Sequence, residues 1–200
     1  MTELIPKKSL SNTRASLLVR LRDISDGAAW CEFHELYAPL LYHYARARGL
    51  HHVDAEEVRS ECFAALVRQM LEFEYDRAKG TFKSWLRTMV CRRVADRLRR
   101  QRELNVEGNV LDQLQDDHSG EDEAWEAEWR RQHLNYCIDQ AKLEVSEQTW
   151  QAFQLLAEKD ATVVEVGNQL GMNSNQVYKA KARMLSVIKR RMQYLLLDAE

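Results

Sequence analysis

The chain has 200 residues, of which 45% are hydrophobic and 30% are charged, and its formal net charge is -2. No uncharged apolar run approaches the roughly 18 residues that a membrane span needs, and the amino terminus lacks a basic segment followed by a long apolar core. We therefore expect a cytoplasmic protein of one or two domains, with no membrane insertion and no Sec-dependent export.

The composition favours an all-α fold. The chain has only 7 glycines and 2 prolines, and its periodic stretches are dominated by Leu, Ala, Arg, Glu and Gln, which lose little entropy in a helix. Apolar residues at Leu17, Leu18 and Leu21 predict a first helix. A second follows from Trp30 to Tyr44, after a break around residues 25–27.

A third helix is predicted to begin near Asp54, which can cap it. Its apolar stripe includes Val58, Cys62 and Leu66, and leaves Glu57 and Glu61 outside the stripe. Residues 73–86 then combine a turn around Gly80 with aromatic and cationic side chains. This mixture suits single-stranded DNA, because bases stack on aromatic faces while cations follow the phosphates. The helical spacing of Phe82 and Trp85 indicates that at least one of the two belongs to the core.

Charge is strongly segregated along the chain. Residues 77–102 contain ten basic residues and one acid, residues 105–128 contain nine acids and no Lys or Arg, and residues 175–193 contain six basic residues and no acid. Two basic segments separated by an acidic one favour a nucleic-acid-binding protein with two domains and a solvated linker. A second hypothesis for the acidic linker is that it folds back over the basic faces.

The carboxy-terminal part carries a helix-turn-helix pattern. Thr162 and Glu165 form a capping box, Gly171 can end that helix, and a second helix starts near Ser174. Apolar and small residues occupy the positions at which two such helices touch. Polar and basic residues early on the second helix are candidates for contacts in a DNA groove.

No enzyme, cofactor or metal is predicted. The sequence has no Gly-rich phosphate loop, nucleophile elbow or H-E-x-x-H motif. The four cysteines contain no C-x-x-C pair and are expected to be free thiols. His133 and Cys137 lie one helical turn apart, which is too few ligands for a structural zinc site.

Three segments together resemble the sigma factors of the extracytoplasmic function (ECF) type, bacterial initiation factors that direct RNA polymerase to promoters. Residues 55–61 resemble the family pattern A-E-D-L-V-Q-E, residues 75–86 resemble D-P-x-x-G-S-F-x-x-W-L, and residues 165–177 resemble E-I-A-x-x-L-G-x-S-x-x-x-V. Gly167 stands where the family usually has Ala.

The resemblance implies a division of the chain and a set of site residues. Residues 10–103 would be a region 2-like domain, 104–129 an acidic linker, and 130–197 a region 4-like domain. The residues implied in core RNA polymerase binding are Asp54, Glu57, Val58 and Glu61. Those implied at the minus-10 element of promoter DNA are Tyr75, Lys79, Phe82, Lys83, Arg87, Arg92, Arg93 and Arg97. Those implied at the minus-35 element are Ser174, Asn175, Gln176, Tyr178, Lys179, Lys181 and Arg183. An anti-sigma factor is a further candidate partner.

Two other classes of protein stay open. A stand-alone helix-turn-helix regulator would bind duplex DNA tightly by itself, whereas a sigma factor would bind well only together with core polymerase. A helical interaction module without a DNA role would bind no nucleic acid in either condition.

Overall fold

The computed structural model describes residues 15–71, 81–104, 118–158 and 161–196, and every regular element within these ranges is an α-helix. The all-α prediction is confirmed. None of the helices in these ranges is both long enough and apolar enough to span a membrane. The helices are α1 (Ala15–Arg20), α2 (Gly27–Ala47), α3 (His52–Met70), α4 (Phe82–Leu104), α5 (His118–Lys142), α6 (Glu147–Glu158), α7 (Val163–Leu170) and α8 (Ser174–Leu196).

The chain divides into two compact units between Gln132 and His133, a point that lies within α5. The sequence prediction of a solvated linker over 104–129 is wrong for its last part, because α5 already begins at His118. Trp125 and Trp129 of this helix are 1% and 0% exposed. Their spacing of four residues puts both on one helix face, and the apolar area they bury outweighs the preference of the surrounding acids for water.

The core of the first unit lies between α2, α3 and α4. Asp26 accepts a hydrogen bond from the backbone N–H of Ala29 at 2.9 Å, which caps α2 and explains the predicted break before it. Pro39 lies inside α2, which nevertheless continues to Ala47. The buried side chains at the centre are Phe33, Tyr37, Leu40, Leu41, Tyr44, Val58, Cys62, Leu66, Phe82, Leu86, Val90 and Val94.

The start of α3 differs from the prediction. The helix begins at His52 with His51 as its N-cap residue, so Asp54 is not the cap but belongs to the first turn. There its carboxylate is still favoured by the positive end of the helix dipole. The same carboxylate accepts a hydrogen bond from the side chain of Gln101 of α4, with Nε2 to Oδ2 at 2.6 Å.

The second unit contains the predicted helix-turn-helix as α7 and α8. The Thr162 hydroxyl accepts a bond from the Glu165 N–H, and the Glu165 carboxylate accepts one in return from the Thr162 N–H, so the capping box is confirmed. These bonds from Thr162 lower the pKa of the Glu165 carboxyl. Gly171 ends α7 in the left-handed conformation with φ of 64°.

A small core holds the two helices against α6. It consists of Ala152, Leu155, Val166, Val177 and Ala180. Gly167 lies within α7, and its backbone oxygen accepts a bond from the N–H of Met172, in the turn after the helix, at 2.9 Å. An ideal Cβ at residue 167 would lie 2.6 Å from the backbone oxygen of Met172, so the close approach of the two segments depends on glycine.

The buried cysteines are unreactive. Cys62 and Cys137 are fully buried, and burial raises the pKa of each thiol to about 12. Since the thiolate is the reactive form, these two side chains act as small apolar groups of the two cores.

Candidate functional site

Three acidic side chains of α3 share one face of the first unit. Asp54, Glu57 and Glu61 follow one another at intervals of three and four residues, which places them on the same side of a helix. The side chains of Glu57 and Glu61 are about half exposed. We call these three residues the acidic face.

Arg97 of α4 joins the acidic face. Its guanidinium nitrogens lie 2.5 Å from a carboxylate oxygen of Glu57, 3.0 Å from one of Glu61 and 3.9 Å from one of Asp54. The side chain of Arg97 is only 19% exposed. The structure therefore brings together an arginine predicted to contact DNA and the three acids predicted to contact polymerase.

Sequence reasoning missed the role of α4 in holding this face. Neither the Arg97 ion pairs nor the bond from Gln101 to Asp54 was predicted. Helical spacing could place the three acids together, but it carries no signal for which side chains of another helix meet them. That meeting depends on how α3 and α4 pack.

A shallow open groove of about 450 Å³ runs beside the acidic face. Its lining includes Glu57, Glu61 and the exposed apolar side chain of Val53. Val58, by contrast, is 0% exposed and belongs to the core. The prediction that Val58 lies on the docking surface is therefore wrong, because its position in the apolar stripe of α3 turns it inward.

The arginines of α4 differ in their surroundings. Arg92 is exposed, while Arg87 and Arg93 are half-buried. Arg93 donates to the backbone oxygen of Met89 at 2.9 Å. Tyr75 and Lys79, which were predicted to contact the minus-10 element, lie outside the described residues.

Phe82 and Lys83, which were predicted to contact the minus-10 element, are both covered in this structure. Phe82 is 1% exposed, with ring centroids 5.9 Å from Phe33 and 5.6 Å from Tyr37. The Lys83 ammonium lies 2.5 Å from a carboxylate oxygen of Glu126 and 5.3 Å from the centroid of the Trp129 ring. Both side chains are covered because Phe82 packs into the aromatic core and α5 lies over Lys83.

The predicted reading residues of α8 are all exposed. They are Ser174, Asn175, Gln176, Tyr178, Lys179, Lys181 and Arg183. Gln176 also helps to cap the start of α8. Its side-chain oxygen accepts a bond from the Asn173 N–H at 2.8 Å, and the Asn173 side chain accepts one from the Gln176 N–H at 2.9 Å. This reciprocal pair caps α8 and fixes the start of the exposed surface.

The basic end of α8 is partly neutralised. Arg190 and Arg191 both form ion pairs with Glu144, in the turn after α5. Of the other basic residues of α8, which are all exposed, Lys179, Lys181 and Arg183 lie in its first half and Lys189 lies further along. The second unit therefore presents three exposed basic side chains in the first half of the second helix of the helix-turn-helix.

Two comparisons with known proteins found a similarity, one over most of the chain and one within the first unit. Among solved structures, the chain is similar to one described as the 1.8 Å structure of the RsbN-BldN complex, with 18% sequence identity, coverage of 86% of this chain and 97% of that chain, and a TM-score of 0.35. The curated proteins contain no match. Residues 33–103 match the family model of Sigma-70 region 2. The matched residues lie within the first unit and include α3, most of α4 and the three residues of the acidic face.

Proposed function

We propose that the chain is a transcription initiation factor of the ECF sigma type, which binds core RNA polymerase and directs it to promoter DNA. The observation that carries the proposal is the Sigma-70 region 2 match over 33–103, joined in one chain to a separate helix-turn-helix unit. A sigma factor needs no catalytic group or cofactor of its own, so the chain is proposed to act by binding alone, in the cytoplasm.

The acidic face is the proposed docking surface for core polymerase. Its half-exposed carboxylates and the neighbouring Val53 would receive a partner surface that combines basic and apolar side chains. Arg92 and Arg93 of α4 are proposed contacts for the minus-10 element, together with Tyr75 and Lys79 of the preceding segment. The exposed side chains early on α8 are proposed to read the minus-35 element.

The docking proposal predicts that the double variant Glu57→Lys and Glu61→Lys binds core polymerase at least about tenfold more weakly, because like charges would face the partner's basic surface. Binding is measured by titrating labelled chain with core polymerase. The double variant Glu35→Lys and Glu123→Lys is the matched control, since it makes the same charge change at exposed positions outside the acidic face. Equal affinities of the two double variants would contradict the assignment of the docking surface.

The reading proposal predicts that Lys179→Ala weakens binding to the correct upstream element by about 1 to 3 kcal/mol more than binding to a scrambled element. The measurement compares the two DNA sequences with polymerase holoenzyme. Equal losses on both would assign Lys179 to a phosphate contact. For Gln176 the informative variant is Gln176→Glu, because Glu keeps the side-chain acceptor for the Asn173 N–H, whereas Ala would also remove one of the two bonds that cap α8.

The second candidate is a stand-alone helix-turn-helix regulator, which the exposed polar and basic start of α8 also supports. A gel-shift experiment with promoter duplex separates the two proposals. A regulator retards the duplex without polymerase. An initiation factor does so only when core polymerase is present.

A further inference from the structure

The start of α4 carries a cation that the chain itself covers. The Lys83 side chain is 9% exposed, although Lys is among the residues most rarely buried. Glu126 of α5 supplies its counterion, and the face of Trp129 lies over its ammonium group. All three residues belong to the first unit.

The covering part of α5 is held mainly by two tryptophans. The Trp125 ring lies 5.1 Å from that of Tyr44, and the Trp129 ring lies 5.6 Å from that of Tyr37, measured between centroids. We call residues 123–132 of α5 the covering segment. Its charged residues before Trp129 are all acids, at Glu123, Glu126 and Glu128, and Glu126 pairs with Lys83 of the most basic stretch of the chain.

We infer that the covering segment is an intramolecular inhibitor of nucleic-acid binding, which occupies Lys83 through Glu126 and Trp129 and must move before Lys83 can bind a polynucleotide phosphate. The inference rests on the proposed function for its ligand, single-stranded promoter DNA. A carboxylate paired with a lysine occupies the same ammonium donors that a phosphate oxygen would use. In the covering segment, the Glu126 carboxylate thus occupies the position at Lys83 that a backbone phosphate of the nucleic acid would take.

Two features of the contact favour a segment that can be displaced. The indole N–H of Trp125 is buried and has no hydrogen-bond acceptor among the described residues. A buried donor without a partner makes the docked state less favourable than a fully satisfied core would be. Glu126 is also 47% exposed, so solvent already reaches one partner of the ion pair that holds Lys83.

The test uses the full chain with Glu126→Lys, which replaces the counterion of Lys83 by a like charge. Glu123→Lys is the matched control, because it makes the same charge change at an exposed position of the same helix. The first readout is the rate at which an amine-reactive reagent acylates Lys83, measured by peptide mass spectrometry relative to the exposed Lys179. The second is the affinity for a single-stranded oligonucleotide as a function of salt concentration.

In the wild-type chain Lys83 is expected to react roughly tenfold more slowly than Lys179, because only transient opening exposes it. Glu126→Lys should raise the Lys83 rate severalfold. It should also make the dependence of log affinity on log salt steeper than in Glu123→Lys by about 0.7, which corresponds to one additional phosphate contact. Adding Lys83→Gln to Glu126→Lys should remove that difference.

The inference is overturned if Lys83 of the wild-type chain reacts as fast as Lys179, or if Glu126→Lys exposes Lys83 and still binds DNA no better than the control. Trp125→Ala gives a second way to release the segment, with helix content checked by circular dichroism. If neither variant exposes Lys83, the segment is a fixed part of the fold and the inference is wrong. Core polymerase is absent from these experiments, so failure of the proposed docking surface would leave their result unchanged.

Discussion

Trp129→Ala is expected to lower the free energy of unfolding of the first unit by about 3 to 5 kcal/mol, the usual range for removing a fully buried tryptophan. The side chain is 0% exposed and packs against Tyr37 and Trp125. Its removal would leave a large cavity and also take the aromatic face away from Lys83. The loss is measured by urea unfolding, with hydrogen exchange showing which unit has lost protection.

The size of this effect discriminates between two descriptions of residues 118–129. In a solvated linker the same substitution would change the stability by no more than about 0.5 kcal/mol. Val67→Ala on the exposed side of α3 is a suitable control, since that side chain is 37% exposed. A loss from Trp129→Ala as small as that of the control would contradict the packing of α5 on the first unit.

Gly167→Ala is expected to destabilise the second unit by about 1 to 3 kcal/mol, the usual range for overpacking. Intrinsic propensity alone would predict the opposite sign, because Ala is about 1 kcal/mol better than Gly inside a helix. The clash decides the sign, since the added Cβ would lie 2.6 Å from a backbone oxygen, that of Met172, and backbone cannot turn aside as a side chain can. The variant should unfold at a lower temperature and should bind the upstream DNA element more weakly than the wild-type chain.

Gly27→Ala is the matched control for this substitution. Gly27 lies at the first position of α2, and an added Cβ there would meet nothing within 4 Å. The control variant should therefore be as stable as the wild-type chain or slightly more stable. If the Gly167→Ala variant were as stable as this control, the turn between α7 and α8 would be able to open without a loss of stability, and the expected clash would be contradicted.

The local features of the second unit were predictable because their causes are local. The capping box of Thr162 and Glu165, the glycine that ends α7 and the start of α8 each depend on a few neighbouring residues. The same holds for the break before α2, where the side chain of Asp26 satisfies the helix end. The polar pattern of the first turns of α8 also predicted correctly that their polar and basic side chains are exposed.

The first unit shows where residue type alone is a poor guide to a site. Phe82 and Lys83 have the chemistry of a single-stranded DNA surface, yet the fold uses both in its interior. Val58 was assigned to the docking surface with its acidic neighbours, although its place in the apolar stripe of α3 already indicated the core. A helical pattern therefore separates inside from outside more reliably than a motif assigned by resemblance.

By itself, the sequence determined the all-α class, the two-part organisation, the segregation of charge and the helix-turn-helix, because periodicity, capping and composition act over short distances along the chain. Only the tertiary structure decided that Arg97 belongs with the acids of α3 and that α5 covers Lys83. These pairings join residues more than 35 positions apart. They depend on which helix faces pack together, and for α5 that choice rests on the packing of Trp125 and Trp129 against tyrosines of α2.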